Sequence, residues 1–492
     1  MSPILWPWQK RGWAADNDAV NLRLLDDFMS TYNTDITRNV AHLCCEFNLD
    51  SLGEEAVDRC RYLTLDFLGC AIRGSISEST QPVLRIAEAR VPAEMAVPII
   101  GTASHSEATF AALAIGAAAH SLELDDVVNS ASLHPAVAVM PAALAAGYAA
   151  ECSGSEFLSA IVCGYELMVK LGIALDPAAH YRRGFHPTGT CGTFGAAVAA
   201  GKIMRLDEKS LLSAIGIAGS QAAGSLEFLA DGSFTKRFHA GWAAHSGMIA
   251  AGLAAEGFSG PATILEGSHG FLQGYSEKMQ PQVILENWGM PWEVMNTSIK
   301  PHACCRYKQG PIDCILSLVE EYELSPAEIE AVEIGILDAG FALVAEPEEQ
   351  KRAPQSVVDA QFSMPFGAAL AIHRKNASLD RYCMEEIHNP EIIQLMKRVR
   401  CVRDPELDRK FPRKWPASVT ITTKRGRVLK RHLDYPKGDP ENPLSWDELI
   451  EKFKTLASEV LRLERCEEIV QLVRRLDDVR DIRELFALLQ KR

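Results

Sequence analysis

The chain of 492 residues is 47% hydrophobic and 23% charged, with a formal net charge of −14. That length can bury more than one core, and the acidic balance argues against a general nucleic-acid binder, which presents a basic face. Thirteen cysteines, odd in number and without any Cys-x-x-Cys, argue against a secreted disulfide scaffold and against a zinc or iron–sulfur centre, and fit a reducing, cytoplasmic setting.

No apolar run reads as long enough to cross a membrane, and Lys10 and Arg11 are not followed by the apolar stretch of a secretory signal. Residues 1–36 read as an N-terminal arm in which Trp6, Trp8 and Trp13 crowd together, a composition suited to packing on the body or on a second subunit. Residues 54–73 then read as a long helix with Cys60, Leu63, Phe67 and Leu68 on one face, stopped by Gly74. A second helix, 80–90, has Pro82 in its first turn. From 108 to 257 the chain is dominated by Ala-rich helices, expected at 108–120, 136–150, 155–175, 191–204, 208–220 and 240–256. Polar loops are expected between them at 120–134, 180–190 and 231–239.

The character changes near Trp288 and Trp292. Residues 331–337 and 418–423 read as strands, and 418–423 forms a hairpin with 428–433 across Lys424-Arg-Gly-Arg427. Helical patterns at 309–322 and 362–373 are interspersed. After the turn-rich connector Tyr435 to Pro443, Ser445 and Glu448 form a capping box, and helices run to the C-terminus. The expected fold is therefore mainly α. A helical domain, 37–294, is interrupted by an α+β lid, 295–433, and resumes at 434–492.

Three stretches concentrate polar chemistry between helices. The first is His120-Ser-Leu-Glu-Leu-Asp-Asp126 with His134, where three carboxylates and two histidines lie between apolar runs. Taken alone, the stretch reads as helix capping sooner than as catalysis, with Asp125 and Asp126 as turn formers and His120 near a helix C-terminus. The second, Arg182 to Gly195, sets His186 before a Gly- and Thr-rich helix start; it lacks the spacing of a dinucleotide fingerprint. The third comprises Lys236-Arg-Phe-His239 and Lys300-Pro-His-Ala-Cys-Cys-Arg306, where Lys300 and Arg306 could clamp a carboxylate. No tight metal spacing, Walker sequence or Gly-x-Ser-x-Gly occurs. A set of carboxylates, histidines and lysines suits proton transfer beside a carboxylate, with cations stabilising the enolate-like carbanion.

These motifs, with Leu65-Asp-Phe-Leu-Gly-Cys-Ala71, Phe185-His-Pro-Thr-Gly189, Leu265-Glu-Gly-Ser-His-Gly-Phe271 and the 435–443 connector, occur in an order that resembles the MmgE/PrpD family. That family includes 2-methylcitrate dehydratase, cis-aconitate decarboxylase and iminodisuccinate epimerase. The resemblance implies a metal- and cofactor-independent homodimer with its site in the cleft between helical body and lid. It implies a site at Glu123, Asp125, Asp126, His134, His186, Lys236 and Lys300, to which the local reading adds Arg306 and His239 as substrate contacts. Lys236 and Lys300 would hold carboxylates of a small di- or tricarboxylate, a histidine would move the proton, and the acids would orient it or assist the leaving group.

Phe366 and Val127 stand where the decarboxylase branch carries a tyrosine and frequently a hydroxyl residue. The expected activity is therefore dehydration of a 2-methylcitrate or citrate type. Decarboxylation, epimerisation and a non-catalytic binding role are the alternatives.

Overall fold

A computed structural model describes residues 35–91 and 95–491. The Trp-rich stretch 1–34 lies outside the described residues. The described residues are 57% helix and 9% strand, so the fold is mainly α with a smaller α+β region.

The helical body is built around Pro187–Ile203, which packs against Thr235–Ala255, Gly154–Ala174 and Ala136–Ala150. Small residues let these helices touch through their backbones. A Cβ on Gly164 would lie 2.9 Å from the Gly195 carbonyl oxygen, and one on Gly195 would lie 2.7 Å from that of Gly164. This close approach explains the Gly-rich start of the 187–203 helix, which begins four residues before the expected 191. The helix expected from 240 begins at Thr235, so Lys236 and His239 are in its first turns rather than in a loop. Their spacing puts them on one helical face with buried Ala240 and Ala243.

Gly154–Ala174 corrects the expectation about membrane length: it is 21 residues long and contains an 18-residue window with a mean hydropathy of 1.6, long and apolar enough to span a bilayer. It is instead 94% buried among the other helices, and it carries Glu166 and Lys170. Downstream, the expected capping box forms at Ser445 and Glu448, and the Trp446–Ala457 helix packs along Glu54–Gly74.

The one larger sheet has the order Val399–Arg403, Ile329–Ile336, Ala417–Thr423, Val428–Leu433. The first pair is parallel and the others antiparallel. The hairpin appears as read from sequence. The short Val399–Arg403 strand was missed because Arg400 and Arg403, three residues apart, break the two-residue alternation that marks a strand. Helices Gln309–Glu321 and Met364–Arg374 pack against this sheet.

Among the described residues, two large apolar clusters result, with a small third at Leu337, Leu407 and Trp415. One gathers buried residues of 36–299 and 444–489; the other gathers 303–429 with Cys70, Leu122, Leu124 and Leu456. The acidic loop straddles them, because Leu122 and Leu124 enter the second cluster while Val128 and Leu133 enter the first. A two-residue ladder, Val127 to Ser298 and Val128 to Thr297, fastens that loop to the chain as it crosses into the sheet region. The 435–443 connector backs the same crossing: Ile299 N–H donates to the Gly438 carbonyl at 2.9 Å. A Cβ on Gly438, whose φ is +91°, would lie 1.8 Å from the Ile299 oxygen.

Candidate active site

The ladder sets Lys300 just past Ser298, against the turn that holds Glu123 and Asp125. Lys300 is 1% exposed, with Nζ 3.7 Å from Asp125 Oδ1 and 3.9 Å from Glu123 Oε2. Lys236, from the start of its helix, pairs with the other oxygen of Glu123 and lies 5.3 Å from the Phe362 ring centroid. Glu123 adopts φ +57°, a left-handed conformation costly for a residue with a side chain, so its orientation is imposed by its surroundings.

Burial would raise the Glu123 carboxyl, but Lys236 and Lys300 outweigh it and hold it at about 2. Burial opposes charge on Lys300, but Asp125 and Glu123 more than reverse that and raise its pKa. The result is a largely buried, charge-balanced set of two ammonium groups and two carboxylates.

Histidines line the other side. Asp125 Oδ2 accepts from His120 Nδ1 at 2.7 Å and lies 3.2 Å from His134 Nδ1. Burial would raise Asp125 too, but His134, His120 and Lys300 hold it well below the usual carboxylate range. His134 Nδ1 also donates to the Asp126 carbonyl, which can only accept. The His134 proton is therefore on Nδ1 and Nε2 keeps its lone pair. Burial pulls His134 down to about 3 against the pull of Asp125, so the ring is neutral near pH 7. His186, at the N-terminus of Pro187–Ile203, places Nδ1 3.2 Å from His239 Nδ1 and stacks at 5.7 Å on His120. Burial first, then His120 and His239, keeps His186 well below its ordinary value.

Three residues named from sequence have other partners. Asp126 turns away from the lysines: its carboxylate accepts from Tyr165 Oη at 2.8 Å and from the Ala136 N–H at 3.2 Å. It caps the Ala136–Ala150 helix, and burial with Asp125 beside it raises its pKa well above the usual range. Arg306 does not share a clamp with Lys300. Its guanidinium pairs with Asp439 of the connector, donates to Asn129 Oδ1 at 2.9 Å and lies 4.9 Å from the Trp415 ring centroid. His239 bonds to His186, which makes it a partner of a candidate base.

Other contributors were missed as site residues. His120, first read as a helix terminus, is 0% exposed and sits between Asp125 and the two other rings, with Nε2 unpartnered. Asp66 and Lys452 form a buried pair, and Lys452 also donates to the Leu124 carbonyl at 3.0 Å. A carboxylate amid the apolar Glu54–Gly74 face was a readable signal for Asp66; nothing local marked Lys452. Phe366 is fully buried in the second cluster beside Tyr382, and Val127 is buried in the ladder. A surface cavity of about 460 Å³ lies on the sheet region, lined by Phe341, Glu346, Pro347, Arg352 and Cys401, and none of the residues above lines it. Among the described residues no cluster has the donors to hold a metal ion.

Residues 38–284 match the MmgE/PrpD N-terminal domain and residues 302–478 match the MmgE/PrpD C-terminal domain. The chain belongs to the MmgE/PrpD family. It is similar to several curated proteins over nearly its full length. A cis-aconitate decarboxylase-like protein of Aspergillus oryzae is 27% identical over 94% of this chain and 98% of its own length. The cis-aconitate decarboxylase of Aspergillus terreus is 26% identical over 94% and 97%. That of Mus musculus is 26% identical over 92% and 93%. The MmgE/PrpD domain boundary, between 284 and 302, falls where the Thr297–Ser298 ladder delivers Lys300 to the acidic loop.

Proposed function

We propose that this MmgE/PrpD protein is a lyase of small tricarboxylates that acts by decarboxylation, on cis-aconitate or an acid of the same shape. The observation that carries the reading is the convergence of buried Lys300 and partly buried Lys236 on the Glu123 carboxylate of the acidic loop, with the His134 proton held on Nδ1 so that Nε2 keeps its lone pair. The full-length similarity to cis-aconitate decarboxylases supports the choice of reaction.

Lys236 and Lys300 would hold two carboxylates in a largely buried site, where ammonium–carboxylate pairing is strong. Loss of carbon dioxide leaves an electron pair spread over the adjacent double bond and a retained carboxylate, and Lys300 opposes that developing charge. The intermediate then needs one proton at carbon. The arriving trianion favours protonation of a histidine that is neutral in the empty site. Asp125, held ionised, stabilises the resulting imidazolium, and His134 or His186 delivers the proton. One trianion and one proton thus become one carbon dioxide and one unsaturated dicarboxylate dianion.

The same groups could remove a proton next to a carboxylate and expel hydroxide, the dehydration expected from the sequence. That expectation leaned on Phe366, and Phe366 sits in the second core. Supplying the purified protein with cis-aconitate and, separately, 2-methylcitrate distinguishes the two. Carbon dioxide release in step with loss of cis-aconitate is the expected result. Water loss from 2-methylcitrate without carbon dioxide would overturn decarboxylation, and turnover of neither would overturn both.

A further inference from the structure

We infer that Gln361 is a positioning residue that sets the spacing between the acidic loop and the Lys300 segment. The inference builds on the proposed lyase for its kinetic readout but not for its structural one. Gln361 ends the short Val357–Gln361 helix and is 1% exposed. Its Nε2 donates to two carbonyls at once, Leu122 at 3.1 Å and Ala303 at 3.1 Å. Leu122 directly precedes Glu123, and Ala303 lies three residues beyond Lys300. A single carboxamide therefore bridges the segment bearing the carboxylates and the segment bearing the lysine. Both acceptors are carbonyls, so only the NH₂ side of the amide can face them.

The bridge is anchored from behind. The Gln361 carbonyl accepts from the Cys305 N–H at 3.1 Å and from Lys308 Nζ at 3.1 Å. Lys308 is fully buried, donates also to Ala360 O at 2.9 Å and has no carboxylate in ion-pair range among the described residues. A buried ammonium held only by carbonyls and a tyrosine hydroxyl is a poor way to stabilise a fold, but it fixes two consecutive carbonyls firmly. The next residue, Phe362, lies under the Lys236 ammonium. The Gln361–Phe362 pair thus touches the loop, the Lys300 segment and Lys236, while contributing no titratable group. Because the Glu123 backbone is held at a positive φ, its carboxylate position depends on such outside contacts.

The test is Gln361→Met, which keeps the side-chain length and removes both donors, read by amide hydrogen exchange, thermal midpoint and steady-state kinetics. Exchange in the peptide 120–127 should rise by about tenfold or more while distant helices exchange as in the parent. On the acid that the parent turns over, kcat should fall by about 10- to 100-fold with KM changed by less than about threefold. A folded variant whose 120–127 peptide exchanges as in the parent overturns the inference, whatever its activity. So does parental kcat. Should the parent turn over no tricarboxylate, the proposed function fails while the exchange result still decides the role of Gln361. Should Gln361→Met fail to fold, Gln361→Asn takes its place. Its amide is one methylene too short to reach both carbonyls, so exchange and kcat should move the same way by a smaller factor, and parental values for both overturn the inference.

Discussion

Lys300 and Lys308 belong to the same crossing segment, and both are buried to 1% exposure or less, yet their surroundings act on them in opposite directions. Lys300 stands where the two cores meet. Burial disfavours its charge, but Asp125 and Glu123 raise its pKa above the ordinary lysine value. Lys308 stands inside the second core with carbonyls and the Tyr382 hydroxyl for company, and burial pulls it down to about 8. Burial alone therefore says little about a lysine's charge. For this pair the presence of a carboxylate decides it: the junction between the cores supplies Lys300 with two, and the described surroundings of Lys308 supply none in ion-pair range. The comparison separates a lysine built to meet anions from one that ties backbone together.

The largest effect should come from breaking the junction side. Lys300→Met should lower kcat/KM by about 10³-fold, because the developing negative charge loses its partner. It should also cost about 3 kcal/mol of stability, because Asp125 is left buried with less compensation. Kinetics together with denaturant melts check both. Equal losses from Lys308→Met would erase the distinction drawn above.

Lys308→Met should instead stabilise the fold by about 1–3 kcal/mol near pH 7. The sign follows from linkage. A lysine at about 8 in the fold and 10.5 in the unfolded chain binds its proton more tightly when unfolded, so stability of the parent rises between pH 8 and 10.5. The advantage of the methionine variant should shrink across that window, as thermal midpoints at pH 7 and pH 10 would show. A lower kcat in this more stable variant would tie Lys308 to the Gln361 bridge.

The histidine shell sharpens the contrast at acid pH. His134 and His239 are pulled by burial to about 3 and about 4 from 6.5, so the unfolded chain takes up protons first as pH falls. Stability should drop progressively from pH 6.5 toward 4. Glu123, at about 2 against 4.5, adds a further loss below 4.5. Glu166, raised by burial to about 7, works against this by gaining its proton in the fold between pH 7 and 4.5. Glu166→Gln should therefore steepen the acid loss seen in equilibrium melts.

The smallest effect concerns the pair Asp125 and Asp126. Tyr165→Phe removes one hydrogen bond to Asp126 and should cost about 1 kcal/mol. Activity should stay within about twofold of the parent, since this carboxylate caps a helix. A loss of activity without a loss of stability would return Asp126 to the reacting groups.

Much of this was legible in the chain. Apolar periodicity and alanine content mark the long helices to within a few residues, and the 418–433 hairpin follows from strand alternation around Lys424-Arg-Gly-Arg427. The polar stretches around 123, 186, 236 and 300 stand out because charge between apolar helices is unusual. The misreadings share one cause. Lys236 and His239 looked like a basic turn because charge at a helix start and charge in a loop look alike until the buried face is known. The neighbouring aspartates part company: Asp126 accepts from a helix N–H and Tyr165 while Asp125 faces Lys300, because adjacent side chains point to different partners when the backbone turns between them. Arg306 looked like a clamp because its carboxylate, Asp439, comes from a connector distant in sequence.

By itself the sequence determined the helical class, the α+β insertion, most element boundaries, the residue types of the site and the family motifs. These depend on local propensity and on periods of a few residues. Tertiary structure alone decided which groups meet. The two-residue ladder at 127–128 and 297–298 brings Lys300 to Glu123 and Asp125, the Trp446–Ala457 helix brings Lys452 to Asp66, and Gln361 joins Leu122 to Ala303. Each is a contact between distant segments. Its energy comes from burial and partner geometry that no local pattern records, and with it comes the difference between a lysine raised by carboxylates and one lowered by their absence.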